Sequence, residues 1–270
     1  MKKCKEEGCF NDGCCRDKRC PHHTKGSRDL RSYSAGRKYP TDPAPHLGVE
    51  LECIAPDSLI FKALRAQGRI PCSDGSLSGL GCEFKLCLAA KTAISKVPRF
   101  AGRLASLGAT VNSSCGLHVH LDARGVTQER KSLFLKWLEK IQDWLFSLMP
   151  PSRRCSTYCR RLPETGHYAW ANKTDFNTIE IRIHGGSLNP HKIAGWLNVC
   201  NDLMTWLRNG VTLPEIEYDK EGTMTLTNET LLEIFPTPAS REYLLARQEA
   251  KGILSASTLT PNGPTNELEN

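Results

Sequence analysis

Three short stretches decide the fold: Val49-Glu50-Leu51-Glu52-Cys53, Leu117-His118-Val119-His120-Leu121 and Ile179-Glu180-Ile181-Arg182-Ile183-His184. In each, apolar and ionisable residues alternate with a period of two, the pattern of a strand with one buried and one polar face. The alternation groups Glu50 with Glu52, His118 with His120, and Glu180 with Arg182 and His184. An ordinary wet face carries Lys, Thr, Ser and Gln, whereas these three strands carry Glu, His and Arg with no lysine. If they share a sheet, one face collects three Glu, three His and one Arg. Carboxylates at that density repel unless cations sit among them, so the pattern predicts a metal site. Oxygen-rich ligation with one or two imidazoles suits Mg²⁺ or Mn²⁺ better than structural zinc. The arginine suits a phosphate oxygen, which it can grip with both arms.

Working outward, further strands are expected at 46–54, 82–88, 168–173 and 178–184 around the strand at 117–122. Helices are expected at 57–67 behind an Asp57 N-cap, and at 89–107, where Pro98 breaks or kinks the run. The clearest helix runs over 127–149, with a stripe of Leu133, Leu135, Trp137, Leu138, Ile141, Trp144, Leu145 and Leu148, stopped by Pro150-Pro151. Asn189-Pro190 opens another, over 190–209, and shorter helices follow at 229–236 and 239–251. Asp74-Gly75-Ser76 reads as a turn. Strands and helices mix without regular βαβ alternation, which predicts an α+β fold with a largely antiparallel sheet.

At 270 residues the chain is long enough for one large domain plus an appendage. The mean hydropathy is −0.40 and no long apolar run is present, so no transmembrane helix is expected. Without an apolar stretch behind Lys2 and Lys3, no signal peptide is read, and a cytoplasmic protein with no membrane partner is expected. The formal charge of +7 is uneven: residues 1–38 hold 11 basic and 5 acidic residues, the rest 25 and 24. The basicity therefore belongs to an N-terminal arm, which is a candidate contact for nucleic acid or a protein partner. Five of the 13 cysteines (Cys4, Cys9, Cys14, Cys15 and Cys20) fall within the first 20 residues, where metal binding is the stronger reading. Cys4, Cys9, Cys20 and His23 form two close pairs suited to one structural Zn²⁺, with Cys14 or Cys15 and His22 as alternative ligands. The expected layout is a Cys/His module at 1–24, a linker at 25–45, a catalytic body at 46–252 and a tail at 253–270.

Gly48-Val49-Glu50-Leu51-Glu52, Asp74-Gly75-Ser76-Leu77 running to Glu83, Cys115-Gly116-Leu117-His118-Val119-His120 and Thr178-Ile179-Glu180-Ile181-Arg182-Ile183-His184-Gly185-Gly186 occur in one order. Arg153, Arg154 and Tyr158-Cys159 lie between the last two. Together these motifs, over residues 48–207, resemble the amidoligases of the glutamine synthetase-like carboxylate–amine ligase superfamily, a family common in phage and bacterial genomes. The resemblance implies a catalytic sheet that uses ATP and divalent cations to join a carboxylate to an amine. It implies Glu50, Glu52, Glu83, His118 and Glu180 as Mg²⁺ or Mn²⁺ ligands. Arg182 matches the family's nucleotide-phosphate arginine, His120 lies near the nucleotide, and Arg153 and Arg154 become substrate or phosphate contacts. The substrates it allows are small-molecule, peptide or protein carboxylates and amines.

The residue types suit that chemistry, because an acid must be activated by phosphoryl transfer before an amine can displace an oxygen from it. No Gly-x-Ser-x-Gly elbow or P-loop is present, and Cys115 reads as a packed thiol rather than a nucleophile. Two other readings compete. His118, His120, Glu180 and His184 could form a transition-metal site of a hydrolase or oxygenase, which leaves Glu50, Glu52 and Arg182 without work. Alternatively, the body is a degenerate scaffold behind a zinc-bearing nucleic-acid-binding arm.

Overall fold

The alternating stretches pair edge to edge. In a computed structural model, which describes residues 43–55, 77, 81–154, 156–209, 230 and 233–252, they form an antiparallel five-stranded sheet. Its strands are β1 (His46–Ile54), β2 (Gly81–Ala89), β3 (Gly116–Asp122), β4 (Ala171–Lys173) and β5 (Thr178–Gly185). They lie in the order β2-β1-β3-β5-β4. The helices are α1 (Ala90–Ser106), α2 (Gln128–Ser147), α3 (Pro151–Arg154), α4 (Pro190–Asn209) and α5 (Pro238–Ala250). The fold is α+β, as the element order predicts. The N-terminal module and its zinc ligands Cys4, Cys9, Cys20 and His23 lie outside the described residues. So do nearly all of the 25–45 linker, the helix expected at 57–67, the 74–76 turn, residues 229, 231 and 232 of the helix expected at 229–236, and the tail. Among the described residues, no helix is long and apolar enough to cross a membrane.

One face of the sheet is the core. Leu47, Val49 and Leu51 of β1, Phe84 and Leu86 of β2, Leu117, Val119 and Leu121 of β3, and Ile179 and Ile181 of β5 are all buried. Helices α1 and α4 pack against one another and the sheet, and α5 packs on α4. Thr127 caps α2 by accepting from the Arg130 amide (3.2 Å), and Asn189 caps α4 by accepting from His191 and Lys192 (2.9 and 3.1 Å).

Four details differ from the sequence expectation. Helix α1 runs unbroken through Pro98, whose ring is buried in the core, so packing offsets the missing hydrogen bond. The α2 stripe runs through Phe134, 2% exposed, and not Leu133, which is 57% exposed. Phe134 precedes Trp137, Leu138, Ile141 and Leu145 at helical spacing, so it is the residue in phase. The strand expected at 168–173 shortens to β4, because the Tyr168 carbonyl and the Trp170 N–H bond Arg160 (2.7 and 2.8 Å), and only the Trp170 carbonyl reaches back to β5, accepting from the Arg182 amide (2.7 Å).

The fourth detail changes the site. Leu117 pairs with His184 and Val119 with Ile181, so two steps of β3 span three of β5. This bulge reverses the facing of the β5 residues beyond it. His184 therefore shares a face with Leu117, lies against Trp196 with ring centroids 5.1 Å apart, and bonds Tyr243 Oη at 2.8 Å. It is not part of the polar face on which strict alternation places it.

Candidate metal and phosphate-binding face

Register brings the ionisable residues together pair by pair. Glu50 lies opposite His118 on one side and Lys85 on the other, Glu52 opposite Glu83, and His120 opposite Glu180. Asn172 of β4 completes the row beside Glu180. Glu50, Glu52, Glu83, His118, His120, Glu180 and Arg182 thus share one sheet face, all of them buried.

His118 Nδ1 stands 3.3 Å from Glu50 Oε2, 3.6 Å from Glu52 Oε1 and 3.9 Å from Glu180 Oε1. His120 Nε2 stands 3.5 Å from Glu50 and 3.8 Å from Glu180, while its Nδ1 meets Thr178 Oγ1 at 3.0 Å. Arg182 donates to Glu180 Oε1 at 2.6 Å, and Asn172 donates to Glu180 Oε2 at 3.1 Å. Two sets, Glu50/His120/Glu180 and Glu50/Glu83/His118, each bring three ligand atoms within 4.8 Å of one another. Among the described residues, Glu52 Oε1 and His118 Nε2 have no hydrogen-bond partner despite their burial. Buried polar atoms are rarely left unsatisfied. These orphan atoms, with a donor set of carboxylates and imidazole, fit a hard divalent cation.

The charge balance follows from the same geometry. Burial raises the Glu50 pKa, but Lys85 and the two histidines more than offset it and hold the carboxyl well below its usual range. Burial and the Glu50 charge push Glu83 well up. Glu180 is held low, because His120 and Arg182 overcome its burial. Arg182 is raised in turn, since Glu180 outweighs the cost of burying the guanidinium.

Of the two candidate arginines after α2, only Arg153 enters the site. It is 3% exposed, donates to the Cys115 carbonyl, and burial lowers its pKa. A Cβ built on Gly116 would lie 2.7 Å from Arg153 Nη2 and 2.4 Å from His118 Nε2, so both groups crowd that glycine. Arg154 is exposed and bonds the Ser147 and Met149 carbonyls (2.7 and 3.1 Å), satisfying the end of α2. Cys115 is 1% exposed and packed beneath Gly186, and burial raises its thiol pKa, as befits a structural cysteine.

Two members of the cluster escape a reading of the three strands. Lys85 bridges Glu50 and Glu83 and supplies the lysine that those strands lack. Its signal was the alternation Cys82-Glu83-Phe84-Lys85-Leu86, which puts Lys85 with Glu83. Asn172 has no comparable signal, because β4 is three residues long. His184 lies on the helical face, so the hydrolase or oxygenase reading loses one of its four proposed ligands.

Residues 87–167 match the family model described as "Putative amidoligase enzyme". The matched segment covers α1, β3, α2 and Arg153, and the match supports an amidoligase family and a ligase-type enzyme. No curated protein matches the chain.

Proposed function

We propose, from the similarity of residues 87–167 to amidoligases, that the polar face is the active site of an ATP-dependent carboxylate–amine ligase. The observation that carries the reading is the convergence of Glu50, Glu52, Glu83, His118 and Glu180 with Arg182 on one buried face. Those five residues would hold Mg²⁺ or Mn²⁺, which supplies charge neutralisation between phosphate and carboxylate oxygens. Arg182, already fixed by Glu180, offers its remaining donors to a phosphate group, and His120 lies beside it. Arg153 adds a second buried guanidinium near Glu52.

In this reading a substrate carboxylate oxygen attacks the γ-phosphorus of ATP and ADP leaves, giving an acyl phosphate. An amine nitrogen then attacks the acyl carbon, loses its proton, and phosphate departs with one oxygen of the acid. The chain's contribution is alignment and charge stabilisation rather than a covalent nucleophile. A cytoplasmic ligase acting on small-molecule, peptide or protein substrates, with a zinc-bearing basic arm that docks nucleic acid or a protein partner, completes the proposal.

The test is ADP release across pairs of acids and amines with Mg²⁺, comparing wild type with Glu50→Gln and Arg182→Ala. Arg182→Ala should lose about 2–4 kcal/mol of transition-state stabilisation, the scale for one preorganised donor. ADP release that needs no acid, or that survives Glu50→Gln undiminished, would refute the assignment.

A further inference from the structure

Among the described residues five large apolar side chains are exposed, and the two aromatic ones touch each other. Tyr158 is 42% exposed and Tyr168 41%, with ring centroids 5.2 Å apart in an edge-to-face arrangement. The Arg160 guanidinium lies over the Tyr168 ring, 5.9 Å from its centroid. Apolar residues scattered singly on a surface need no explanation, whereas adjoining aromatic rings left in water are a surface that a ligand can cover.

The segment that carries the pair is built around Arg182. Arg182 Nε donates to the Tyr158 carbonyl (3.3 Å), the Arg182 amide donates to the Trp170 carbonyl (2.7 Å), and Cys159 Sγ donates to the Arg182 carbonyl (3.7 Å). The same segment is tied down internally. The Arg160 amide donates to the Tyr168 carbonyl, and the Trp170 amide to the Arg160 carbonyl. Buried Gln142 accepts from the Leu162 amide (2.9 Å) and from Trp170 Nε1 (3.2 Å). The two rings therefore stand on a clamped stretch of chain, which lowers the ordering cost when a ligand covers them. Tyr158 is at once a backbone partner of Arg182 and the bearer of one exposed ring.

We propose that Tyr158 and Tyr168 seat the base of the nucleotide whose phosphates Arg182 takes. The proposal rests on the ATP reading above and adds where the uncharged end of the nucleotide lies. Continuity identifies the occupant: a ligand that brings phosphates to Arg182 and a flat base at its other end can cover the exposed rings beside it. Every base has a π-face, so an aromatic surface holds it without base-specific hydrogen bonds, and the Arg160 guanidinium adds a planar cation to the same surface.

Calorimetric titration of the full chain with ADP and with pyrophosphate, both with Mg²⁺, tests this without reference to turnover. Pyrophosphate carries the phosphates of ADP and no base. Tyr158→Ala and Tyr168→Ala should each weaken ADP about tenfold, the scale of one lost stacking contact, and leave pyrophosphate binding as in wild type. Tyr168→Phe, which keeps the ring, should recover the ADP affinity that Tyr168→Ala loses, and Arg182→Ala should weaken both ligands. ADP affinity unchanged in both alanine variants, but weakened in Arg182→Ala, would overturn the seat while leaving the ATP reading standing. An equal loss of ADP and pyrophosphate in the alanine variants would also overturn it, since the tyrosines would then act only by holding Arg182. Failure of wild type to bind ADP would overturn the ATP reading itself, and the seat with it.

Discussion

Gly116→Ala probes the site with a single methyl group. Gly116 opens β3, and a Cβ there would lie 2.4 Å from His118 Nε2, 2.9 Å from His118 Cδ2 and 2.7 Å from Arg153 Nη2. Ordinary contact distances are ~3.5 Å, so the imidazole and the guanidinium must each retreat by about 1 Å. The retreat pulls His118 away from Glu50, Glu52 and Glu180, with which it is in reach at 3.3–3.9 Å. A displacement of that size costs ~100-fold in turnover, or about 2.7 kcal/mol. Overpacking adds about 1–3 kcal/mol of lost stability. The assay is ADP release normalised to folded protein, with Mn²⁺ affinity and thermal melting measured beside it. Gly102→Ala is the control, since its Cβ meets only Pro190 Cγ at 3.1 Å, at the contact of α1 with the start of α4. Gly116→Ala should lose turnover and Mn²⁺ affinity, and Gly102→Ala neither. Equal turnover in the two variants would refute the placement of His118 and Arg153 in the working site.

The packing and the bulge yield two more expectations. Phe134→Ala should destabilise by about 3–5 kcal/mol in urea unfolding, and Leu133→Ala by less than about 0.5 kcal/mol, in line with 2% and 57% exposure. His184, buried among Tyr243, Arg247, Arg153 and Lys192, has its pKa lowered by burial and then by Arg247 to about 3. Between that value and ~6.5, the unfolded chain holds one proton more, so stability falls as pH falls, by about 2 kcal/mol from pH 7 to pH 5. Urea unfolding at both pH values should show this component in wild type and lack it in the His184→Phe/Tyr243→Phe double variant. Identical pH slopes would place His184 in water and remove the case for the bulge.

Much of the site was legible because a strand's period of two is rigid. Glu50 with Glu52, and His118 with His120, could be assigned to single faces before any pairing was known, and β1 covers the expected 46–54. What alternation cannot register is an extra residue. The β3–β5 bulge moved His184 from the polar face to the helices, with no glycine or proline at Arg182-Ile183 to announce it. Pairing order was hidden for a related reason. Only the neighbouring of β2 and β1 puts Lys85 against Glu50, which turned a face expected to lack lysine into one that carries its own counter-ion. Arg153 and Arg154 are adjacent and identical in type, so only the short turn of α3 separates the buried arginine from the one that caps α2.

The central claim is that this face activates a carboxylate by phosphoryl transfer. It is tested most directly with the acid–amine pair that most stimulates ADP release, using acid labelled with ¹⁸O in its carboxylate. Phosphoryl transfer predicts one ¹⁸O in the released phosphate for each amide formed, and none with Glu50→Gln, which should form no amide. Amide formation with unlabelled phosphate would contradict it.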